Sequence, residues 1–321
     1  AVQVTWWPGK SIVVRYRAQC AGRLDGSHQI VACAGEIPDG ATIVEGDGIR
    51  VGVWRLPHDP ALPGLAAALD PRTAGLVVRG LGMPDDRLRT RLRAYRPGRR
   101  AVVELRGERT LLYLKLVRPP DVESLYKRHL ALSAGSLVPP ALGVDTDLGV
   151  LALRALPGIT LRQALEDPAA TLPEPQDIDA LLDGIFLPRD VAPAPSPLEQ
   201  LPALSKLLLR ILPSERGRIK ELVDRIGRET QPLTVTVHGD FHEAQLLVKR
   251  GVLAGVLDID TAGPGRTGDD PATMLGHLAV LEMSSTRPER VRAYGEALLR
   301  RWDRRTDPID LRMRVAAVIL G

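Results

Sequence analysis

TVTVHGDFHEAQLLVKRGVLAGVLDIDTA, running from Thr234 to Ala262, is the stretch from which the rest of the chain is read. Two apolar runs, Leu246 to Val248 and Val252 to Leu257, flank the turn Lys249-Arg250-Gly251 and predict a hairpin. A third run, Leu233 to Val237, delivers the chain into His238-Gly239-Asp240, and the second hairpin strand ends on Asp258-Ile259-Asp260. Carboxylates therefore gather where apolar strands stop. Turn capping alone also puts Asp at such places, so the wider pattern around them decides between the two.

Moving a phosphoryl group from a nucleotide takes one carboxylate to orient the attacking hydroxyl. A second carboxylate and an amide oxygen hold magnesium on the phosphates. Asp240 fits the first role, and Asp258 with Gln245 the second. The spacing resembles that of the aminoglycoside phosphotransferase and choline kinase-like superfamily, relatives of the protein kinases. Their loop reads His-Gly-Asp, four residues, then Asn, followed by a hairpin and a magnesium-binding Asp. Here His238, Gly239, Asp240 and Asp258 match, and Gln245 stands at the Asn position. Gly263 to Ala272 resembles the Gly/Pro-rich segment that leads to an Asp-rich helix start in the same superfamily. His-Gly-Asp alone is a weak signal; the composite of about forty residues is a strong one.

The resemblance implies a bilobal, protein-kinase-like α+β fold with an antiparallel-sheet N-lobe and a mainly helical C-lobe. It implies ATP and Mg²⁺ as cofactors. The activity expected is transfer of the γ-phosphoryl group to a hydroxyl of a sugar, amino sugar, aminoglycoside or similar polyol. Maltokinase-like relatives carry Gln at the Asn position as well, and an N-terminal cap of sheet and helix precedes their kinase lobes. Residues 1–85 are similar to such a cap in position and character, which leaves 86–156 as N-lobe and 157–321 as C-lobe with a helical insertion at 174–230.

The whole chain is compatible with this reading. Its 321 residues exceed one typical domain, and 44% apolar content is ordinary for a globular protein. No run of about 18 apolar residues occurs, and AVQVTWWPGK lacks the long apolar segment of a signal peptide. A cytoplasmic protein without a membrane partner is the expectation. Cys20 and Cys33 do not make a disulfide framework. The net charge of +4 comes from scattered arginines, with only Arg99-Arg100 and the Arg300 to Arg305 region standing out, so no nucleic-acid surface is indicated.

From the N-terminus, Pro8-Gly9 and Pro97-Gly98 each precede a strand-like run, a single recurrence that suggests two small antiparallel sheets in succession. The first would use Val2 to Trp7, Ile12 to Arg17, Gln29 to Ala34, Ala41 to Glu45 and Ile49 to Leu56, with one helix from Ala61 to Leu69 and a boundary near Met83 to Asp86. The second would use Arg89 to Arg96, Ala101 to Arg106, Thr110 to Val117, Leu137 to Leu142 and Val150 to Leu156, with a helix from Val122 to Ser133.

Lys115 lies inside the third of these strands, where alternation puts it on one face with Tyr113. The resemblance gives it the role of the strand lysine that contacts the nucleotide phosphates, with Glu123 in the first turn of the next helix as its partner. An exposed edge-strand lysine and a dipole-compensating glutamate are the structural alternatives. Leu156-Pro157-Gly158 falls where the superfamily's adenine-binding linker lies. An apolar helix is expected to run uncapped to Gly321, as where a C-terminal piece is missing or disordered.

Two rival functions follow from other features. His238, Asp240 and His242 alternate on a short extended stretch and could ligate a metal, as in a metallohydrolase. Gln245 in place of Asn also suits a nucleotide-binding pseudokinase without turnover.

Overall fold

Chain reversal at Gly9-Lys10 and at Pro97-Gly98 is fixed by the same bond, Lys10 N–H donating to Trp7 O and Arg99 N–H to Arg96 O, both at 3.0 Å. Each reversal opens a five-stranded antiparallel sheet. A computed structural model of the chain describes residues 1–7, 9–20, 26–82, 88–108, 110–133, 137–185, 187 and 191–321. The boundary expected near Met83 to Asp86 lies outside the described residues, as does the side chain of Cys20; Cys33 is a buried free thiol. The chain forms two compact units, Ala1–Lys127 with Pro140–Ala155, and Arg128–Pro139 with Leu156–Gly321.

The first unit begins with β1 (Gln3–Trp7), β2 (Ser11–Cys20), β3 (Gly26–Gly35), β4 (Thr42–Gly46) and β5 (Ile49–Arg55), in the sheet order β1-β2-β3-β5-β4. Two helices follow, α1 (Gly64–Leu69) and α2 (Pro71–Gly80). Only the first was expected. The second starts because Asp70 accepts the Arg72 N–H at 2.9 Å while Pro71 occupies the first turn, where its missing N–H costs nothing.

The second sheet is built from β6 (Arg89–Arg96), β7 (Arg100–Arg106) and β8 (Leu111–Val117). After α3 (Pro119–Ser133) come β9 (Ala141–Asp145) and β10 (Val150–Arg154), giving the order β6-β7-β8-β10-β9. α3 begins three residues before the expected Val122, again on prolines suited to a first turn. β9 begins four residues after the expected Leu137, because Pro139 and Pro140 have no N–H to give a ladder. One apolar core runs through both sheets and includes Val31, Trp54, Leu65, Val103 and Leu114. Asp59 adds a polar tie inside it, accepting the Tyr95 hydroxyl and the Gly98 N–H at 2.8 Å each.

In the second unit, β11 (Ile159–Thr160) leads into α4 (Leu161–Glu166), α5 (Pro175–Asp183), α6 (Pro197–Ile211) and α7 (Arg216–Ile226). Thr160 and Gln163 form a capping box at the start of α4. The central stretch then forms β12 (Val235–Val237), β13 (Leu246–Lys249), β14 (Val252–Val256) and β15 (Gly263–Gly265), followed by α8 (Asp269–Ser284), α9 (Pro288–Trp302) and α10 (Pro308–Leu320). β11, β13 and β14 make one small sheet, and β12 pairs with β15 in another. The β13–β14 reversal has two consecutive positive φ angles, 54° at Arg250 and 81° at Gly251, the two-residue geometry that matches the twist of a hairpin.

Leu161, Ile178, Phe241, Leu246, Met274 and Trp302 lie in one core under this arrangement. Each large side chain fully withdrawn from water contributes about 1.5–3 kcal/mol before entropy is counted. A charged knot joins the helices. Arg314 on α10, fully buried, donates to Asp269 at 2.6 Å, Glu229 at 2.7 Å and Asp310 at 2.8 Å. Among the described residues no helix is long and apolar enough to cross a membrane. An antiparallel-sheet N-terminal region and a helical C-terminal region make the α+β class expected from the sequence.

Candidate active site

β12 and β15 hold the two ends of the site together: β12 enters His238-Gly239-Asp240, and β15 leaves Asp258-Ile259-Asp260. Asp270, in the first turn of α8, is buried and reaches back to the loop, accepting the His238 N–H at 2.6 Å and the Gly239 N–H at 2.9 Å. Burial pushes its carboxyl above the usual range, against the pull of His238 and these two donors. Gly239 has φ 79°, and a Cβ there would stand 2.8 Å from Thr261 O, so only glycine fits this bend.

His238 is enclosed and spends both ring nitrogens on the loop: Nδ1 accepts the Asp240 N–H at 3.3 Å and Nε2–H donates to Leu257 O at 2.8 Å. Leu257 N–H in turn donates to Gln245 O at 2.8 Å. The residue before Asp258 is thus bonded on both sides to the loop that carries Asp240 and Gln245. Asp258 itself takes a left-handed backbone, φ 57° and ψ 51°, which costs on the order of 1 kcal/mol for a residue other than glycine. Such a conformation is kept where its surroundings over-determine it. Arg128 donates to the Asp260 carbonyl and anchors the far side of the turn.

Asp240 presents its carboxylate to solvent, 43% exposed, with His242 Nε2 at 3.9 Å from Oδ1. A partly open carboxylate at the end of a rigid loop is suited to take a hydrogen bond from an incoming hydroxyl. Gln245 Nε2 lies 3.2 Å from His242 Nε2, so the amide oxygen is the end of this side chain left over for another partner.

The metal set considered from sequence, His238, Asp240 and His242, does not assemble, because His238 is turned inward and fully bonded to the loop. His277, 34 positions beyond Glu243 on α8, comes to the site instead. The donor atoms of His242, Glu243 and His277 lie within 4.8 Å of one another. The two imidazoles are stacked, centroids 4.3 Å apart and planes at 8°. Nearly parallel rings cannot both aim an in-plane lone pair at one ion, so this is not a ready-made metal centre. Burial raises the Glu243 carboxyl, but His242 and His277 outweigh it and bring it below the usual range. Burial and His242 lower His277.

In the first unit, Lys115 is 5% exposed within β8, between Leu114 and Leu116 at 0%. It is therefore a buried cation and not an edge-strand surface residue. Glu123 corrects the expectation. Its carboxylate pairs with Lys127 at 2.8 Å, one helical turn on, and both side chains face water. A helix starting near Val122 would put Glu123 in its first turn; α3 starts at Pro119 instead, and its phase carries Glu123 to the solvent side.

The phosphotransferase enzyme family model matches residues 85–308. Among the curated proteins none matches. Similar solved structures include aminoglycoside phosphotransferase APH(4)-Ia, at 15% identity and TM-score 0.51, covering 77% of this chain and 88% of that one. The streptomycin-ATP-APH(2'')-IIa ternary complex is similar at 15% identity and TM-score 0.51, with 76% and 87% covered. ADP-bound APH(2'')-Ib stands at 15% and 0.50, with 76% and 86% covered. At this identity the structures speak for a shared fold. The family match spans more than half of the chain, from the second sheet through α9, and contains the His238 loop and the Asp258 turn; the chain belongs to the phosphotransferase enzyme family.

Proposed function

We propose that this phosphotransferase is an ATP-dependent small-molecule kinase that moves the γ-phosphoryl group to a hydroxyl of a sugar, amino sugar, aminoglycoside or similar polyol. The observation that carries the reading is the joining of the Asp240 loop to the Asp258 turn through Leu257, whose N–H and C=O bond Gln245 and His238. Asp240 accepts the hydrogen of the acceptor hydroxyl and points its oxygen at the phosphorus. Gln245 and Asp258 are the residues that would hold Mg²⁺. A neutral amide oxygen and a carboxylate are the hard oxygen donors this ion takes, and the Gln245 amide has its nitrogen at His242. Bound there, magnesium would neutralise phosphate charge. Lys115 would supply the fixed cation for the phosphates; withdrawn from water inside β8, it holds one position.

The neighbours' titles name hygromycin B and streptomycin, and those acceptors belong to those proteins. Here the net charge of +4 adds no special attraction for a polycation, so neutral sugars and amino sugars stand beside aminoglycosides as acceptors. The Gln at position 245 keeps the maltokinase-like branch within the proposal. The test is a screen of sugars, amino sugars, aminoglycosides and amino alcohols with ATP and Mg²⁺, read by ADP release together with mass detection of the phosphorylated acceptor. ADP release that depends on one acceptor class and yields its phosphate supports the reading. ATP binding with no transfer to any acceptor would turn it toward a pseudokinase.

A further inference from the structure

We propose that His242 is a positioning residue for Gln245, and that buried Glu243 selects the imidazole tautomer that does the positioning. The proposal rests on the reading of Gln245 as a magnesium ligand. Gln245 Nε2 and His242 Nε2 face each other at 3.2 Å. Two nitrogens share a hydrogen bond only if one of them carries no hydrogen, and the amide nitrogen always carries two, so the imidazole Nε2 is the acceptor. The ring proton is then on Nδ1. Nδ1 faces Glu243 Oε2 at 3.7 Å, nearer than His277 Nδ1 at 4.0 Å, and that oxygen, on a side chain only 2% exposed, has no hydrogen-bond partner among the described residues. A buried carboxylate oxygen without a donor is costly, and an Nδ1–H is the donor it lacks.

Two contacts oppose this. Asp240 Oδ1 lies 3.9 Å from Nε2 and favours hydrogen there, but that carboxylate is 43% exposed and screened by water. Ala244 N–H lies 3.3 Å from Nδ1 and favours a bare nitrogen there. A neutral amide dipole is weaker than a carboxylate held out of water, so the charge of Glu243 decides the tautomer. His277 completes the device, because its ring stacks on His242 with planes at 8° and keeps Nε2 in line with the Gln245 amide. With its NH₂ held by His242, Gln245 turns its oxygen outward. The same contact gives a reason for Gln at this position: an Asn amide would stop about 1.5 Å short of the imidazole.

The test uses the full chain. Mg²⁺-dependent binding of a non-hydrolysable ATP analogue is measured by calorimetry, and long-range ¹⁵N correlation spectra read the His242 tautomer. The wild type should show hydrogen on Nδ1. His242→Phe keeps an aromatic ring over His277 and removes both nitrogens; like Gln245→Ala, it should raise the half-saturating Mg²⁺ concentration about tenfold or more. The double variant should be no worse than either single one. Glu243→Gln should move the tautomer toward Nε2–H and raise the Mg²⁺ requirement several-fold. His242→Gln, whose amide oxygen can take the same NH₂, should restore most of the loss, which a merely structural role for the ring would not allow. If Gln245→Ala weakens Mg²⁺ binding while His242→Phe does not, the positioning role is overturned and the magnesium reading stands. If Gln245→Ala itself has no effect, both fall. Hydrogen on Nε2 in the wild type would overturn the part assigned to Glu243.

Discussion

Replacing Asp270 by Asn tests whether the site is held from below by α8. The carboxylate makes two bonds to backbone N–H groups, 2.6 Å to His238 and 2.9 Å to Gly239, and it is 2% exposed. Asn keeps one acceptor oxygen and puts an NH₂ where the second stood, so one loop N–H meets a donor in a dry site. A hydrogen bond to a charged group contributes about 1.5–3 kcal/mol, and its loss here also leaves a buried donor unsatisfied. A loss of about 3 kcal/mol in urea unfolding is expected. The loop bend at Gly239 would relax, and a shift of about 1 Å at Asp240 lowers kcat on the order of 10²-fold. Nucleotide affinity should move much less, because Asp240 is proposed to act on the acceptor hydroxyl and not on the nucleotide. Stability within about 0.5 kcal/mol of the wild type, with activity retained, would mean that one Asp270 oxygen suffices and that the paired bonds do not hold the loop.

Arg314→Leu should cost about 3–5 kcal/mol in denaturant unfolding, because it leaves Asp269, Glu229 and Asp310 facing one another without their shared cation. Glu229 gives a pH prediction. Burial raises its carboxyl, but the Arg314 hydrogen bonds and the charges of Arg314 and Arg266 outweigh this and hold it down to about 2 from 4.5. A depressed carboxyl contributes stability that is full above the unfolded value and lost as pH falls toward the folded one. The difference in stability between wild type and Glu229→Gln should therefore shrink between about pH 4.5 and pH 2; a difference independent of pH in that window would contradict the assignment. Lys115→Ala should raise the ATP concentration needed for turnover, while Glu123→Ala should leave it within error, because Glu123 pairs with Lys127 in water. A Glu123 effect as large as that of Lys115 would reinstate the pairing expected from sequence.

Much of this architecture is legible in the residues. Apolar or alternating runs set off by Gly, Pro and Asp mark most strands of both five-stranded sheets, with β9 overlapping its expected run only at Ala141 and Leu142, and Lys249-Arg250-Gly251 marks the hairpin after Gln245. His238-Gly239-Asp240 and Asp258 announce themselves by spacing. Long-range contacts do not. Asp270 reads as one of two acids at a helix start, and nothing local says that it bonds a loop 31 positions earlier. His277 looks like a lone histidine on an apolar helix until α8 packs beneath Glu243. Glu123 was misread for the opposite reason. Its sequence position suits a partner for Lys115, but α3 starts three residues earlier than expected, and helix phase turns Glu123 toward water and toward Lys127, four residues on. α2 was missed because Gly75 and Gly80 weaken its pattern, and its start depends on the Asp70 cap.

Asp240 is proposed to act on an acceptor hydroxyl in transfer from ATP. The most direct measurement is rapid-quench transfer of labelled γ-phosphate to the acceptor that the screen identifies, comparing the wild type with Asp240→Asn at saturating Mg²⁺-ATP. The expected result is a single-turnover rate lower by about 10²–10⁴-fold with unchanged nucleotide affinity. Asp240→Asn transferring at the wild-type rate, or losing ATP binding instead of transfer, would contradict it.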